Sequence, residues 1–590
     1  MSKNETVGRR EESRIGLLAL LSGGIGFVAG FIAFFLYHLI GLITNLLYYG
    51  KLDPTFVSAE FNHLGLLVVI VPALGGLVAG LMIRYGSSKI IGHGIPEAME
   101  SVLLDRSRIR PRVGALKALS AAVTIGSGQP FGAEGPIIQT GGAFGSFIGQ
   151  LISLTGSERK ILLASGAAAG MAATFGTPLA AVVLVVELLL FEFRVKSLVP
   201  VGIAAAIGGW MHIYLITPQP LFQTPPYDFG GLATLPFYVL LGLLSGLVGA
   251  ALSKGLYRSE DAFLRLPFGQ PWSPAIGGLA VGAMGFLVPQ ILGVGYGTIT
   301  GILVGQYGLG LVALIMAAKA VAWLLSMGSQ TSGGTLAPLF MVGSSLGVLF
   351  GSVTGLVFPA IGVVPGVFGV AAMAAVFGAA SRAPFTSVIF ALEVTQDFQG
   401  VLPVIITVVI AELVDEYLTE DSIMTEKLAR RGLRVRHIYE YNPLRQVIVS
   451  ALMSKPVSTV QGEQNVLDLY REMNDPGNEI SRRKRIVVMK KGRVVGTIER
   501  SQVYDAASHA EANLTVEKAC SKAFLTVRED ELAYQAQREM ILHNVRFLIV
   551  VDRNGELSGY LSLSDLVRAQ KHKIEDETIV ERGILSSRFP

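Results

Sequence analysis

From residue 15 to about residue 427, long apolar stretches alternate with short polar breaks. A helix that crosses a bilayer needs about 20 predominantly apolar residues. Candidate stretches lie at 15–48, 62–84, 114–128, 134–153, 160–192, 198–216, 233–255, 272–292, 307–327, 335–358, 363–380, 383–395 and 399–417. Several are too short to span, and many begin or break at Gly or Pro. Interrupted helices of this kind are expected where backbone lines a buried polar site. Beyond residue 447 the pattern changes to short strands and amphipathic helices. Ile486–Met489 and Phe547–Val551 read as buried strands, and Lys491-Gly492 and Asn554-Gly555 as hairpin turns.

Charge divides the chain at the same place. The 48 Lys and Arg and 44 Asp and Glu residues make up about 11% of residues 1–427 and about 29% of residues 428–590. With 51% apolar residues overall, a disordered chain and an ordinary soluble enzyme are both excluded. A membrane body followed by a soluble tail fits. A net charge of +4 is too small to argue for nucleic acid. The lone Cys520 allows no intrachain disulfide and suits a tail in a reducing compartment. The uncharged run Ile15–Gly50 is too long for a cleaved signal peptide. Arg9, Arg10 and Arg14 precede the first stretch, and Arg430, Arg431, Arg434 and Arg436 follow the last. By the positive-inside rule both ends are cytoplasmic, together with the loop carrying Arg106, Arg108, Arg110 and Arg112.

The membrane body repeats itself. Lys117, Gly126, Ser127, Gly132, Pro136, Gly141, Gly145 and Gly149 recur 202 positions later as Lys319, Gly328, Ser329, Gly334, Pro338, Gly343, Gly347 and Gly351. Pro178 with Glu187 is echoed by Pro384 with Glu393. Two related halves with broken helices mark a transporter or channel. The Gly residues four apart give small faces for close helix packing.

Three segments combine Gly and Pro at a helix start: Gly92-His93-Gly94-Ile95-Pro96, Gly132-Ala133-Glu134-Gly135-Pro136 and Gly334-Thr335-Leu336-Ala337-Pro338. Pro is favoured in a first helical turn, and a helix N-terminus offers free N–H donors and about half a positive charge. Several such ends converging in a membrane would bind an anion without holding it too tightly to conduct. No H-E-x-x-H or phosphate-loop motif occurs, and the eight His residues show no metal-ligand pairing. A cation pathway would want rings of carboxylates, which the membrane segments do not supply.

These segments, their order and the internal repeat resemble the CLC family of chloride channels and chloride/proton antiporters over residues 15–436. Gly132–Pro136 resembles the family's G-[RK]-E-G-P, Gly92–Pro96 its G-S-G-I-P, and Gly334–Pro338 its G-x-F-x-P. The resemblance implies a homodimer with a pore in each subunit. It implies that Glu134 is the gating glutamate, whose carboxylate sits in the anion path and leaves it on protonation. It implies anion binding by His93, Gly94, Ile95, Pro96, Gly135, Pro136, Thr335, Leu336 and Met424. Three positions depart from the family: His93 replaces the Ser, Leu336 the Phe, and Met424 the pore Tyr of a D-S-I-Y context. Antiporters of the family usually carry an internal glutamate one residue after the position matching Glu187, where this chain has Leu188. That favours passive conduction, with Glu187 as the remaining candidate for a proton route.

In the tail, Thr459-Val460 and Arg471-Glu472-Met473 recur 67 positions later as Thr526-Val527 and Arg538-Glu539-Met540. The pair resembles tandem CBS domains, which often bind adenine nucleotides. Ser562 and Asp565 resemble their ribose-binding signature, and the first copy lacks the Asp.

The expected architecture is an all-α polytopic membrane protein of two inverted halves plus a C-terminal α/β tandem CBS module. Its parts are a cytoplasmic N-terminus at 1–14, a membrane domain at 15–427, a basic connector at 428–447, CBS copies at 448–505 and 514–570, and a tail at 571–590. The expected function is a chloride channel, not an enzyme, gated by Glu134 and modulated by the CBS pair. A chloride/proton antiporter is the alternative. Chloride, protons, the lipid bilayer and a second copy of the chain are the expected partners, with ATP, ADP or AMP at the CBS pair. No metal or obligate cofactor is expected.

Overall fold

The computed structural model describes residues 3–152, 154–267, 269, 271–431, 444, 447–455, 457–482, 485–508 and 514–569. Most of the 428–447 connector, with Arg434 and Arg436, and the 571–590 tail lie outside the described residues. The chain forms two units, 1–439 and 440–590.

The first unit is helical. Its first half holds α1 (Lys3–Thr44), α2 (Ile70–Tyr85), α3 (Ile95–Leu103), α4 (Pro111–Gly126), α5 (Glu134–Leu151), α6 (Gly156–Phe175), α7 (Pro178–Val185) and α8 (Val195–Leu215). Its second half holds α9 (Leu235–Leu264), α10 (Trp272–Leu287), α11 (Tyr296–Leu303), α12 (Leu309–Gly328), α13 (Leu336–Val357), α14 (Pro365–Ser381), α15 (Pro384–Thr395) and α16 (Val401–Leu418), and α17 (Glu426–Ala429) follows. The repeat read from the sequence is this correspondence, element by element. Among the described residues, six helical stretches are long and apolar enough to cross a membrane.

Two expectations about the helices need correction. The apolar run 160–192 is two helices. Gly176 takes φ +68 and Pro178 sits in the first turn of α7, so the chain cannot continue as one helix. Helix α11, of eight residues, was too short for the hydropathy pattern to reveal, whereas α3, of nine residues, begins at the expected Gly92–Pro96 start.

Helices α6 and α14 are buried around nearly their whole circumference. They are rich in Ala and Gly, so backbones approach closely. A Cβ at Gly141 would collide with the Gly166 carbonyl of α6, and one at Gly343 would lie 2.6 Å from the Ala372 carbonyl of α14. The Gly rows on α5 and α13 are therefore helix-packing faces, as expected.

The second unit contains two sheets of the same topology. Strand β1 (Thr459–Gln461) pairs parallel with β2 (Arg485–Lys490), which pairs antiparallel with β3 (Arg493–Glu499). Strands β4 (Thr526–Arg528), β5 (Phe547–Val551) and β6 (Leu557–Ser562) repeat that order. Lys491 and Gly492 both take positive φ at the β2–β3 turn, as a two-residue hairpin demands. The β5–β6 connection is longer than a two-residue turn. The Asp552 carboxylate organises it by accepting from Asn554 N at 2.9 Å and Glu556 N at 2.8 Å.

Cys520 packs in the core of the first sheet, its Sγ donating to the Glu517 carbonyl at 3.3 Å. Burial pushes its thiol up from the ordinary value, so little thiolate is present near neutrality. Native protein should therefore react with a disulfide reagent at least about tenfold more slowly than a free thiol, and faster as pH rises. Release of the chromophoric thiol from native and denatured full chain measures this.

Candidate functional site

Backbone hydrogen bonds bring the three Gly/Pro segments together. Gly132 N donates to Gly334 O at 3.2 Å and Gly334 N to Gly132 O at 2.9 Å, so the α5 and α13 entries are pinned face to face. Gly92 N donates to Thr331 O at 2.9 Å and Gly333 N to Gly92 O at 3.3 Å, which ties the α3 entry to the same point. The α3 and α5 entries also touch. A Cβ at Gly94 would collide with the Gly135 carbonyl, and one at Gly135 with the His93 carbonyl. Only Gly fits where two backbones come this close, and Gly94 takes φ +93 besides. Gly135→Ala should therefore abolish anion flux in proteoliposomes, while Gly156→Ala, with open space at its Cβ position, should leave it near wild type.

Glu134 opens α5 and is 1% exposed. Its Oε1 accepts from Ala337 N, in the first turn of α13, at 3.1 Å. Its Oε2 has no hydrogen-bond partner. The carboxylate thus occupies the place an anion would take at the N-terminus of a helix from the opposite half. A Cβ at Gly132 or Gly334 would collide with it, so these glycines make room for the side chain.

The other predicted residues surround this point. His93 is 6% exposed. Its Nε2 lies 3.3 Å from Ile423 O, which also accepts from the Tyr257 hydroxyl at 2.9 Å. Its Nδ1 has no partner. Met424 follows Ile423 and is fully buried, with Thr335 at 2% and Leu336 at 3% exposure. Gly94, Ile95 and Pro96 begin α3, and Gly135 and Pro136 stand in the first turn of α5, all buried. Glu97 caps α3, its carboxylate accepting from Gly94 N at 2.8 Å and from Lys427 Nζ at 2.5 Å.

Glu187 lies elsewhere. It ends α7 in a short π-helical turn and accepts from Phe385 N at 3.2 Å, Thr386 N at 3.0 Å and Thr386 Oγ1 at 2.5 Å, all at the start of α15. Its repeat mate Glu393 accepts from Leu179 N at 3.0 Å and Ala180 N at 2.8 Å at the start of α7. Each carboxylate caps the short helix of the other half. Leu188 is fully buried.

Some residues of the site escaped the motif reading. Lys117 and Lys319 are fully buried. Lys117 Nζ donates to Ile90 O at 2.9 Å and Gly92 O at 2.5 Å. Lys319 Nζ donates to Ile291 O at 2.9 Å, Gly293 O at 2.8 Å and Val294 O at 3.4 Å. By holding carbonyls of the turns before α3 and α11, the two ammonium groups fix the shape of both helix entries. Their shared repeat register was the available signal. Tyr296, first residue of α11, has a buried hydroxyl without a partner, within electrostatic reach of Glu134. Nothing in the sequence pattern pointed to it.

Converging helix starts from both inverted halves, with the Glu134 carboxylate on the α13 start, agree with what comparison with known proteins finds. The sequence model of the voltage gated chloride channel family matches residues 75–416. The chain belongs to that family. CBS domains match at residues 449–509 and 516–572. Among curated relatives of this voltage gated chloride channel family member is "H(+)/Cl(-) exchange transporter ClcA" of Yersinia pestis bv. Antiqua (strain Angola). It is 32% identical over 373 residues, covering 62% of this chain and 78% of the relative. The protein of the same name from Salmonella agona (strain SL483) is 32% identical over 376 residues, with the same coverage. Two solved structures share the fold. A slow cyanobacterial Cl-/H+ antiporter has a TM-score of 0.60 at 24% identity, covering 72% of this chain and 98% of that one. A eukaryotic CLC transporter has a TM-score of 0.56 at 19% identity, covering 94% and 97%.

In the CBS unit, the Asp565 carboxylate accepts from Ser562 N at 2.9 Å and Ser562 Oγ at 2.5 Å. Its Oδ1 has a single distant donor, Ser454 Oγ at 3.5 Å. In the first copy Gln502 Oε1 takes the same capping position, accepting from Glu499 N at 2.8 Å. Among the described residues no group of three or more His, Cys, Asp or Glu side chains could hold a metal.

Proposed function

We propose that this chain exchanges chloride for protons across a membrane, with Glu134 as the group that serves both ions. The single observation that carries the reading is the Glu134 carboxylate on the Ala337 amide, where it stands in for a bound anion. Protonation removes the charge that holds the side chain there, and an anion can then take its place on the helix ends. One group therefore alternates between proton carrier and anion surrogate. The anion is held by the starts of α3, α5 and α13, through His93, Gly94, Ile95, Pro96, Gly135, Pro136, Thr335 and Leu336, with Met424 closing the inner side. Exchange is preferred to the passive conduction expected from the sequence because the curated relatives, matched over 62% of this chain, are named exchangers.

Passive conduction is the second reading, and two observations favour it. Leu188 is buried and apolar where an internal acid is expected, and both oxygens of Glu187 are engaged by α15. Proteoliposomes decide between the two. An outward chloride gradient should draw protons inward against their gradient. Chloride efflux with no proton movement would establish the channel.

Both ends are proposed to be cytoplasmic, and two copies are proposed to pair, each with its own anion path. The second CBS copy suits an adenine nucleotide, since Asp565 Oδ1 is a nearly free acceptor for ribose hydroxyls and the Ser562 hydroxyl, donating to the other carboxylate oxygen, holds Asp565 in place. The first copy does not, since Gln502 lacks the carboxylate. Asp565→Ala should weaken nucleotide binding to the full chain by about tenfold, the worth of one charge-assisted hydrogen bond. Titration calorimetry with ATP, ADP and AMP measures it.

A further inference from the structure

An apolar groove of 440 Å³ runs between α1, α4 and α5, away from the anion site. Its floor is made of small residues, Gly114 and Ala118 of α4 and Ala143 of α5, and its walls of Phe35, Phe144 and Phe147. The floor is low because α4 and α5 nearly touch. A Cβ at Gly114 would lie 2.7 Å from that of Ala143. The polar side chain in the groove, Thr140, is satisfied by Gly114 O at 3.1 Å, so nothing there calls for water. Phe35 is 68% exposed, so the groove opens outward to where lipid lies. Along α4 it extends from Pro111 to Leu119, about 12 Å at 1.5 Å per residue. That length and volume suit a large part of one acyl chain.

At its Pro111 end the groove lies next in the chain to Arg110 and Arg112, the last of a run with Arg106 and Arg108, and Arg106, Arg108 and Arg110 also line the polar cavity beside it. Among the described residues none of these four guanidinium groups has an ion pair or a side-chain hydrogen bond. The surrounding carboxylates are already taken. Asp105 pairs with Lys89 at 2.9 Å, Glu100 with Arg431 at 2.6 Å and Glu158 with Arg14 at 3.0 Å. The loop is held in place from below. Arg159 donates to Arg106 O at 3.0 Å, and the Ser146 hydroxyl donates to Ser107 O at 2.6 Å while accepting from Ile109 N at 3.0 Å. Arg106 and Ser107 take φ +50 and +60, a conformation non-Gly residues hold only when the surroundings impose it. The α4 N-terminus, with its own partial positive charge, lies between Arg110 and Arg112.

We propose that an anionic phospholipid docks here, its phosphate at Arg110 and Arg112 and one acyl chain in the groove. A free phosphate would use the cations and leave the groove empty. A zwitterionic lipid would use the groove and gain little from the cations. Only a lipid with net negative charge uses both features. Occupancy of the groove anchors the α4–α5 pair, and α5 begins at Glu134.

The test uses the full chain in nanodiscs with phosphatidylglycerol or phosphatidylcholine bearing the same photoreactive acyl chain. After photolysis, adducts on peptides containing residues 111–119 and 140–147 are quantified by mass spectrometry. Phosphatidylglycerol should label these peptides on the order of tenfold more than phosphatidylcholine. The R110Q/R112Q double variant should bring the two to parity, with chloride flux confirming that it is folded. Ala118→Phe, which fills the groove, should remove labelling by both probes. Equal labelling in the wild type, or a phosphatidylglycerol preference that survives R110Q/R112Q, would overturn the proposal.

Discussion

Glu134→Gln is expected to stop chloride-driven proton movement completely while chloride flux continues. Gln keeps the size of the side chain and can still accept from Ala337 N, but it is permanently neutral. The charge that lets the carboxylate compete with an anion for the α13 N-terminus is gone, and so is the proton it carries. A pH electrode and a chloride electrode on the same proteoliposomes read the two fluxes separately. Glu134→Ala should agree on coupling and pass chloride at least as fast, since nothing remains to block the helix ends. Coupled proton movement persisting in either variant would falsify the assignment of Glu134 to the anion path, whatever the fate of the wider reading.

Lys319→Met should produce the largest loss of stability among side chains that do not line the path. Its ammonium group serves three carbonyls, Ile291 O, Gly293 O and Val294 O, in a site closed to water. Met fills the space and donates nothing. A buried acceptor stripped of its partner costs about 1–3 kcal/mol, so the turn before α11 loses roughly 2–9 kcal/mol if two or three of these go unmet. Thermal unfolding of detergent-solubilised protein should shift strongly downward. Lys254→Met, at an exposed position of α9, should leave the transition where it is. Lys117→Met should fall between them, since two carbonyls depend on it.

Much of the membrane unit was legible in the sequence because a repeat leaves the same signature twice. Gly and Pro at matched positions gave the paired halves and the starts of α5 and α13, and Glu134 stood out as an acid inside one such start. The Gly rows on α5 and α13 were read as packing faces, and that is where they lie. What the sequence did not carry was where a side chain lands in three dimensions. Lys117 and Lys319 were visible as repeat mates, but their carbonyl partners are 25–28 residues distant. Glu187 was weighed as a proton carrier, yet its acceptors are filled by amides about 198 residues later, a distance no local pattern spans. The run 160–192 hid a break because Gly176 and Pro178 sit inside an otherwise uniform apolar stretch, where hydropathy carries no information about φ.

The exchange of caps between Glu187 and Glu393 bears on how the chain is made. A ribosome delivers the first half to the bilayer well before residues 384–395 exist. Through that interval Glu187 is an acid without its amides, and Leu179 and Ala180 lack the carboxylate they will share. The early half therefore waits as an unfinished piece and closes only when the late half arrives to trade carboxylates with it. Neither half should accumulate when expressed alone, and two separately encoded halves should rescue one another in the same cell.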